Sequence, residues 1–304
     1  MSSAEICSSG GRCCKHGLLA LIVTVAVLAG TRSAQARYTI TFQHRDSHYL
    51  LPDQSEGGLV YVPDTVTDPT TPVPLVVFLH GMNPEHALHL WFGGGGYDLR
   101  DHFEQFAEVH DASFVVAAPS NTRHAGYYRN LWQGFDTAAF VKDTARALNG
   151  VAVIDENRVF VVGHSAAGCN LNGGLLTAAA TAGPIHIRGL LLIDTCLDRD
   201  VGHRIAAHQV GTRLWVTWQD VTWPREPDVF FDVVDQEEPQ GAWFRMQKIN
   251  TASSRPHTAV VLPSLLRMLR LWVLEDRAPT NLDQPPGSTP HAGPVKTADA
   301  GQPD

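Results

Sequence analysis

Ser165 is the residue of this chain whose setting most clearly suits chemistry. It lies in Val159-Phe160-Val161-Val162-Gly163-His164-Ser165-Ala166-Ala167-Gly168. Four apolar residues, three of them valine, predict a buried strand. Gly163 stands where a side chain would crowd a tight strand-to-helix turn. Ala166 and Ala167 are expected to begin a helix whose first N–H groups point back at the Ser165 hydroxyl and favour negative charge there. This is the pattern of a nucleophile elbow, Gly-x-Ser-x-Gly, with Ala167 in place of the second glycine. A serine so presented is suited to attack a carbonyl, provided that a base takes its proton and an acid orients the base.

Acyl transfer also needs donors for the oxyanion. Pro74-Leu75-Val76-Val77-Phe78-Leu79 is an unbroken apolar run, as expected of a strand covered on both faces, and His80-Gly81-Met82-Asn83 follows it. Gly81 lets the backbone bend so that the N–H of Met82 or Asn83 can join that of Ala166. The ring-rich segment 122–135 contains Tyr127, Tyr128 and Trp132, which together with His164 are candidates for substrate contact. His80, His86 and His89 have no acidic or cysteine partner at a metal-site spacing, so no metal is assigned. Gly93 to Gly96 has no following Lys-Ser/Thr and is expected to be a loop near the site, not a phosphate cradle.

These groups need a scaffold. The chain has 304 residues, 44% hydrophobic and 18% charged, enough for one large domain. Its formal net charge of −8 argues against a nucleic-acid partner or an anionic membrane surface. Arg12 and Lys15 precede an uncharged, mostly apolar run from Gly17 to Gly30, and Ala34-Gln35-Ala36 forms a small-x-small cleavage signal. The run is short for a membrane span, so residues 1–36 are expected to be a cleaved signal peptide, giving a secreted or periplasmic protein with no stable membrane anchor. Removing Glu5, Arg12, Lys15 and Arg32 with the leader takes the net charge from −8 to −10. Cys169 and Cys196 are the cysteines left, a pair in an oxidising compartment. They would form a disulfide if their strands are neighbours, the alternative being two buried thiols.

Further elements follow in order. Tyr38 to Phe42 and Gly58 to Val62 read as strands, Leu99 to Val109 as an amphipathic helix, and Ser113 to Ala118 as a buried strand. Asp136 is expected to cap a helix over 137–148, and Leu262 to Leu274 to form an apolar helix docked on a sheet. Residues 37–276 would be the folded domain, and the Pro/Gly/Thr/Asp-rich stretch 277–304 a disordered tail.

The blocks 74–81 and 154–168, with the spacing between them, resemble the α/β-hydrolase fold. The closer likeness is to secreted bacterial polyhydroxybutyrate depolymerases and feruloyl or acetylxylan-type esterases. The resemblance implies a mostly parallel central sheet with helices on both faces, a three-layer α/β/α arrangement. It also implies a serine esterase with a Ser-acid-His triad, no cofactor, and a small-molecule or polymeric ester as substrate. Asp220, at the exit of the strand Arg213 to Trp218, occupies the family's usual acid position; Asp194, at the exit of the preceding strand, is the rival. His257 stands where the resemblance puts the general base. A serine peptidase or amidase, and a non-catalytic binding module on the same scaffold, are the alternatives.

Overall fold

Valine, leucine and isoleucine are concentrated in short runs of this chain, and in the computed structural model those runs build one sheet. The structure describes residues 38–44, 57–94, 97–121, 127–208, 212–221, 225–237 and 244–276. The expected leader and the expected tail lie outside the described residues. The strands are β1 (Tyr38–Phe42), β2 (Gly58–Val62), β3 (Pro72–Leu79), β4 (Phe92–Gly94), β5 (Tyr97–Asp98), β6 (Val115–Pro119), β7 (Val153–His164), β8 (Ile187–Ile193), β9 (Arg213–Trp218) and β10 (Phe244–Lys248). Eight of them form a sheet in the order β1-β2-β6-β3-β7-β8-β9-β10, and β4 pairs with β5 as a small antiparallel hairpin. Strand β2 runs antiparallel to both neighbours, while β6 through β10 run parallel.

A parallel sheet must be covered on both faces, and alternation along each strand divides its side chains between two cores. Val77 and Leu79 of β3 and Val161 of β7 share one core with Phe140 of α2 (Thr137–Ala147), Ile205 of α3 (Arg199–His208) and Phe230 of α4 (Pro227–Glu237). Val76 and Phe78 of β3 and Phe160 and Val162 of β7 face the other. There they meet Phe103 of α1 (Arg100–His110) and Leu265 and Met268 of α6 (Val261–Met268). Burying each such side chain stabilises the fold by about 1.5–3 kcal/mol. The layers are therefore helix, sheet, helix.

A four-residue helix, α5 (Pro256–Ala259), precedes α6, and a π-helical turn, Leu269–Leu274, continues it. By length and composition, Pro256–Leu274 would suit a membrane span, but half of it is buried inside the protein. Val261, Leu265, Met268 and Trp272 supply the buried face.

Two expectations change. Residues after Ser165 form only short 3-10 turns, Ser165–Gly168 and Gly174–Thr177, instead of a long helix. Asn170, Asn172, Gly173 and Gly174 interrupt it, and the loop is tied elsewhere: Asn170 Nδ2 donates to the Leu131 carbonyl at 2.7 Å and Gly174 N–H to the Trp132 carbonyl at 3.0 Å. In the glycine run, Gly93 and Gly94 belong to β4 and not to a loop, while Gly95 and Gly96 lie outside the described residues.

Candidate active site

Ser165 sits at the C-terminal end of β7, a central strand, with φ of 56°. A non-glycine residue in this left-handed region is held there by its surroundings. The exit of β3 closes against it: a Cβ at Gly81 would lie 2.6 Å from Ser165 Cβ and 3.1 Å from its hydroxyl oxygen, so no side chain fits at position 81. On the other side Gly168 abuts Thr195, where a Cβ would come within 2.7 Å of the threonine methyl. The close approach brings the turn after the serine against the residue that follows Asp194.

The acid beside His257 is Asp194, not Asp220. His257, on α5, bonds through Nδ1 to Asp194 Oδ2 at 2.5 Å. Asp194 leaves the end of β8 with φ of 50° and is fully buried. Asp220 lies one strand further on, its side chain more than half exposed, and pairs with Lys248, which holds its carboxyl below the usual carboxylate range. The register accounts for the difference. Ile193 of β8 stands beside Thr217 of β9, so Asp194 and Gln219 meet at the sheet edge. Gln219 turns inward and donates to Asp194 through its backbone N–H at 3.1 Å and its side-chain amide at 2.7 Å. Asp220, next in sequence, is turned out to solvent.

With Nδ1 engaged by Asp194, Nε2 is the ring nitrogen of His257 that can serve a hydroxyl. His257 is brought to the elbow through His164, the neighbour of Ser165. The two rings lie 4.4 Å apart, and His164 Nε2–H donates to the His257 carbonyl at 3.0 Å. His164 is buried, with Trp91 edge-on to its ring. Burial, then the nearby His257, push the His164 imidazole down to about 3, so it is neutral. It packs against the His257 ring and is not among the residues lining the cavity at Ser165.

Above Ser165 opens a cavity of about 680 Å³, whose walls include Met82, Tyr128, Arg129, Ala166, Asp198 and Arg225. Met82 and Ala166, the expected oxyanion donors, thus line the same cavity as the serine. The loop bearing Met82 is clamped. Asn121 N–H donates to His80 Nε2 at 3.0 Å, so the proton sits on His80 Nδ1, which donates to the Gly81 carbonyl at 2.8 Å. A trans peptide opposes its C=O and N–H, so the Met82 N–H points away from His80. Burial pushes the His80 imidazole down to about 4, which keeps that donor–acceptor pattern intact.

Trp132, expected at the substrate, is a core residue. It is fully buried, and its indole N–H donates to the His80 carbonyl at 2.8 Å, a core role that satisfies its polar atom. Of the two tyrosines, Tyr128 lines the cavity, whereas Tyr127 is exposed and tilted against it, ring centroids 4.4 Å apart. Cys169 and Cys196 are joined in a disulfide, with Cα atoms 5.0 Å apart, and both line the cavity.

Three site residues had no signal in the sequence pattern. Gln219 and Arg225 both bind Asp194, and Arg129 pairs with Asp198 at 2.5 Å in the cavity wall. These contacts join residues 25 to 69 positions apart, and no local spacing announces them.

Neither a family model nor a curated protein sequence matches the chain. Solved structures do. Pyrococcus horikoshii acylaminoacyl peptidase superposes with a TM-score of 0.51 at 11% identity, over 81% of this chain and 44% of its own length. A thermostable esterase gives 0.47 at 20% identity, over 75% of this chain and 59% of its own. Fluorophosphonate-binding serine hydrolase F of Staphylococcus aureus gives 0.48 at 11% identity, over 77% and 97%. The chain thus spans less than two thirds of the esterase and under half of the peptidase. The particular likeness to polyhydroxybutyrate depolymerases rests on the two sequence blocks alone. The sheet order, the helical layers and the superposition together give this chain the α/β-hydrolase fold.

Proposed function

We propose that this protein is an exported serine hydrolase that cleaves carboxylic esters. The observation that carries the reading is the bond between Asp194 and His257, made beside an elbow that holds Ser165 in a left-handed turn. His257 Nε2 takes the Ser165 proton as Oγ attacks the ester carbonyl, and Asp194 fixes the tautomer and stabilises the imidazolium. The N–H groups of Met82 and Ala166 receive the oxyanion, each worth about 3–4 kcal/mol in comparable sites. His257 then protonates the departing alkoxide as the acyl-enzyme forms. Water, deprotonated by His257, attacks the acyl carbon, releases the acid and restores the serine. His257 mediates each proton transfer in this sequence, and the backbone N–H groups only hold the oxyanion.

The disulfide beside the site supports export, together with the leader-like residues 1–36. A short p-nitrophenyl ester and a peptide anilide, offered to wild type and Ser165→Ala, test the reading. Turnover of the ester by wild type alone supports it. Preference for the anilide makes the protein an amidase, and turnover of neither makes it a binding module.

A further inference from the structure

Asp194 has more donors around it than orienting an imidazole requires. Oδ2 receives His257 Nδ1 at 2.5 Å and the Gln219 amide at 2.7 Å. Oδ1 receives the Gln219 N–H at 3.1 Å and Arg225 Nη2 at 2.5 Å. The Arg225 side chain is 3% exposed and that of Asp194 0%. The remaining guanidinium donors reach backbone carbonyls: Nε donates to Thr195 at 3.1 Å, Nη1 to Gln219, and Nη2 also to Asp194 at 3.4 Å. All three carbonyls belong to the exits of β8 and β9, the segments that shape the acid. Arg225 also forms part of the cavity wall beside Ser165.

A cation on the second oxygen of this acid alters what the acid does to the histidine. A buried carboxylate facing an imidazole alone favours the imidazolium, because an opposite charge at contact stabilises the charged form. A protonated imidazole is no base. Arginine stays cationic throughout the working range of enzymes, so it neutralises Asp194 whatever His257 carries. We propose that Arg225 is a positioning residue of the triad, whose guanidinium both fixes the Asp194 loop and offsets the Asp194 charge, extending activity to lower pH than an isolated Asp–His pair would allow.

This rests on the reading of Ser165 and His257 given above. Several charged groups lie near the pair: Asp198 in the cavity wall is paired with Arg129, Glu226 lines the same wall, and Arg255 stands two residues before His257. His164, packed on His257 from β7, and His80 behind it are both held neutral by burial. Asp220, which acts electrostatically on Arg225, is compensated by Lys248.

The test is kcat/KM against pH for a short p-nitrophenyl ester in wild type, Arg225→Met and Arg225→Lys, each checked for a cooperative thermal transition. The His257 imidazole is titrated by NMR in the same proteins. Removing the charge is expected to move the acidic limb of the profile up by about one pH unit, a tenfold loss on that limb beyond any loss on the plateau. Arg225→Lys keeps a charge without the planar fork, and is expected to keep the wild-type limb while losing thermal stability. A limb unmoved in Arg225→Met, whatever happens to its plateau, overturns the proposal. So does a limb displaced in Arg225→Lys, which decides the matter alone if the methionine variant does not fold. If wild type proves inactive on esters, the functional reading fails, and the imidazole titration decides separately: displacement to higher pH in the uncharged variant supports the role of Arg225, and no displacement overturns it.

Discussion

Two aspartates at neighbouring strand exits, Asp194 and Asp220, are alike in sequence and opposite in setting. One is buried against His257 and the other sits in solvent with Lys248. Asp194→Asn should therefore lower kcat/KM by about 10⁴, the cost of losing the correct imidazole tautomer, while Asp220→Asn should stay within about threefold. Equal losses in the two variants would contradict the assignment. Gly81→Ala tests the other side of the serine. Its Cβ would fall 2.6 Å from Ser165 Cβ, so the elbow or the Met82 loop must shift. A loss of at least about 10² in kcat is expected, comparable to removing one oxyanion donor. The placement of Ser165 at a strand exit is legible from the strand-Gly-x-Ser pattern. The acid is not, because the choice between two strand exits depends on the register of β8 against β9 and on which side chain, Gln219 or Asp220, turns inward. Trp132 lies in the core, and the sequence hides this for a related reason: a ring in a loop near the site carries no mark of whether its N–H is needed by the core.

The elements were easier to read than the contacts between them. Alternation and unbroken apolar runs located β2, β3, β6, β7 and β8, and Asp136 does cap α2, accepting from Ala139 N–H at 2.9 Å. The helix expected after Ser165 fails because the stretch is held by other means: hydrogen bonds to the loop before α2, and the disulfide from Cys169 to Cys196. The electrostatic help assigned to the helix expected there is thereby reduced to the N–H groups of one turn. The disulfide closes a loop over a sequence separation of 27 and joins the serine turn to the acid loop. In the chain-entropy view its removal costs about 3–4 kcal/mol. The double variant Cys169→Ser, Cys196→Ser should thus melt about 10 °C lower by calorimetry, at about 2–4 °C per kcal/mol for a domain of this size. An unchanged melting temperature would show that packing around Gly168 and Thr195 alone holds the two loops.

The molecule as a whole carries a pH dependence that is separate from catalysis. His80 and His164 are buried and neutral, depressed to about 4 and about 3, whereas in the unfolded chain both regain the ordinary histidine value near 6.5. As pH falls below about 6.5 the unfolded chain binds protons that the folded one does not, so stability is lost progressively down to those values and is intact above 6.5. For His80 alone this amounts to about 3 kcal/mol. Urea unfolding of the protein should give a clearly smaller free energy at pH 4.5 than at pH 7.5; equal values would contradict the buried, neutral state of these rings. The proposed export also concerns the whole molecule: N-terminal sequencing of protein recovered outside the cytoplasm is expected to begin at Arg37.

The proposed mechanism makes Ser165 a nucleophile activated by His257 and Asp194. A fluorophosphonate probe, with the modified residue located by mass spectrometry, tests it without any knowledge of the natural ester. A single adduct on Ser165 is expected, absent in Ser165→Ala, formed far more slowly in Asp194→Asn and at the wild-type rate in Asp220→Asn. Absence of an adduct on folded wild-type protein, or an adduct on another residue, would contradict it.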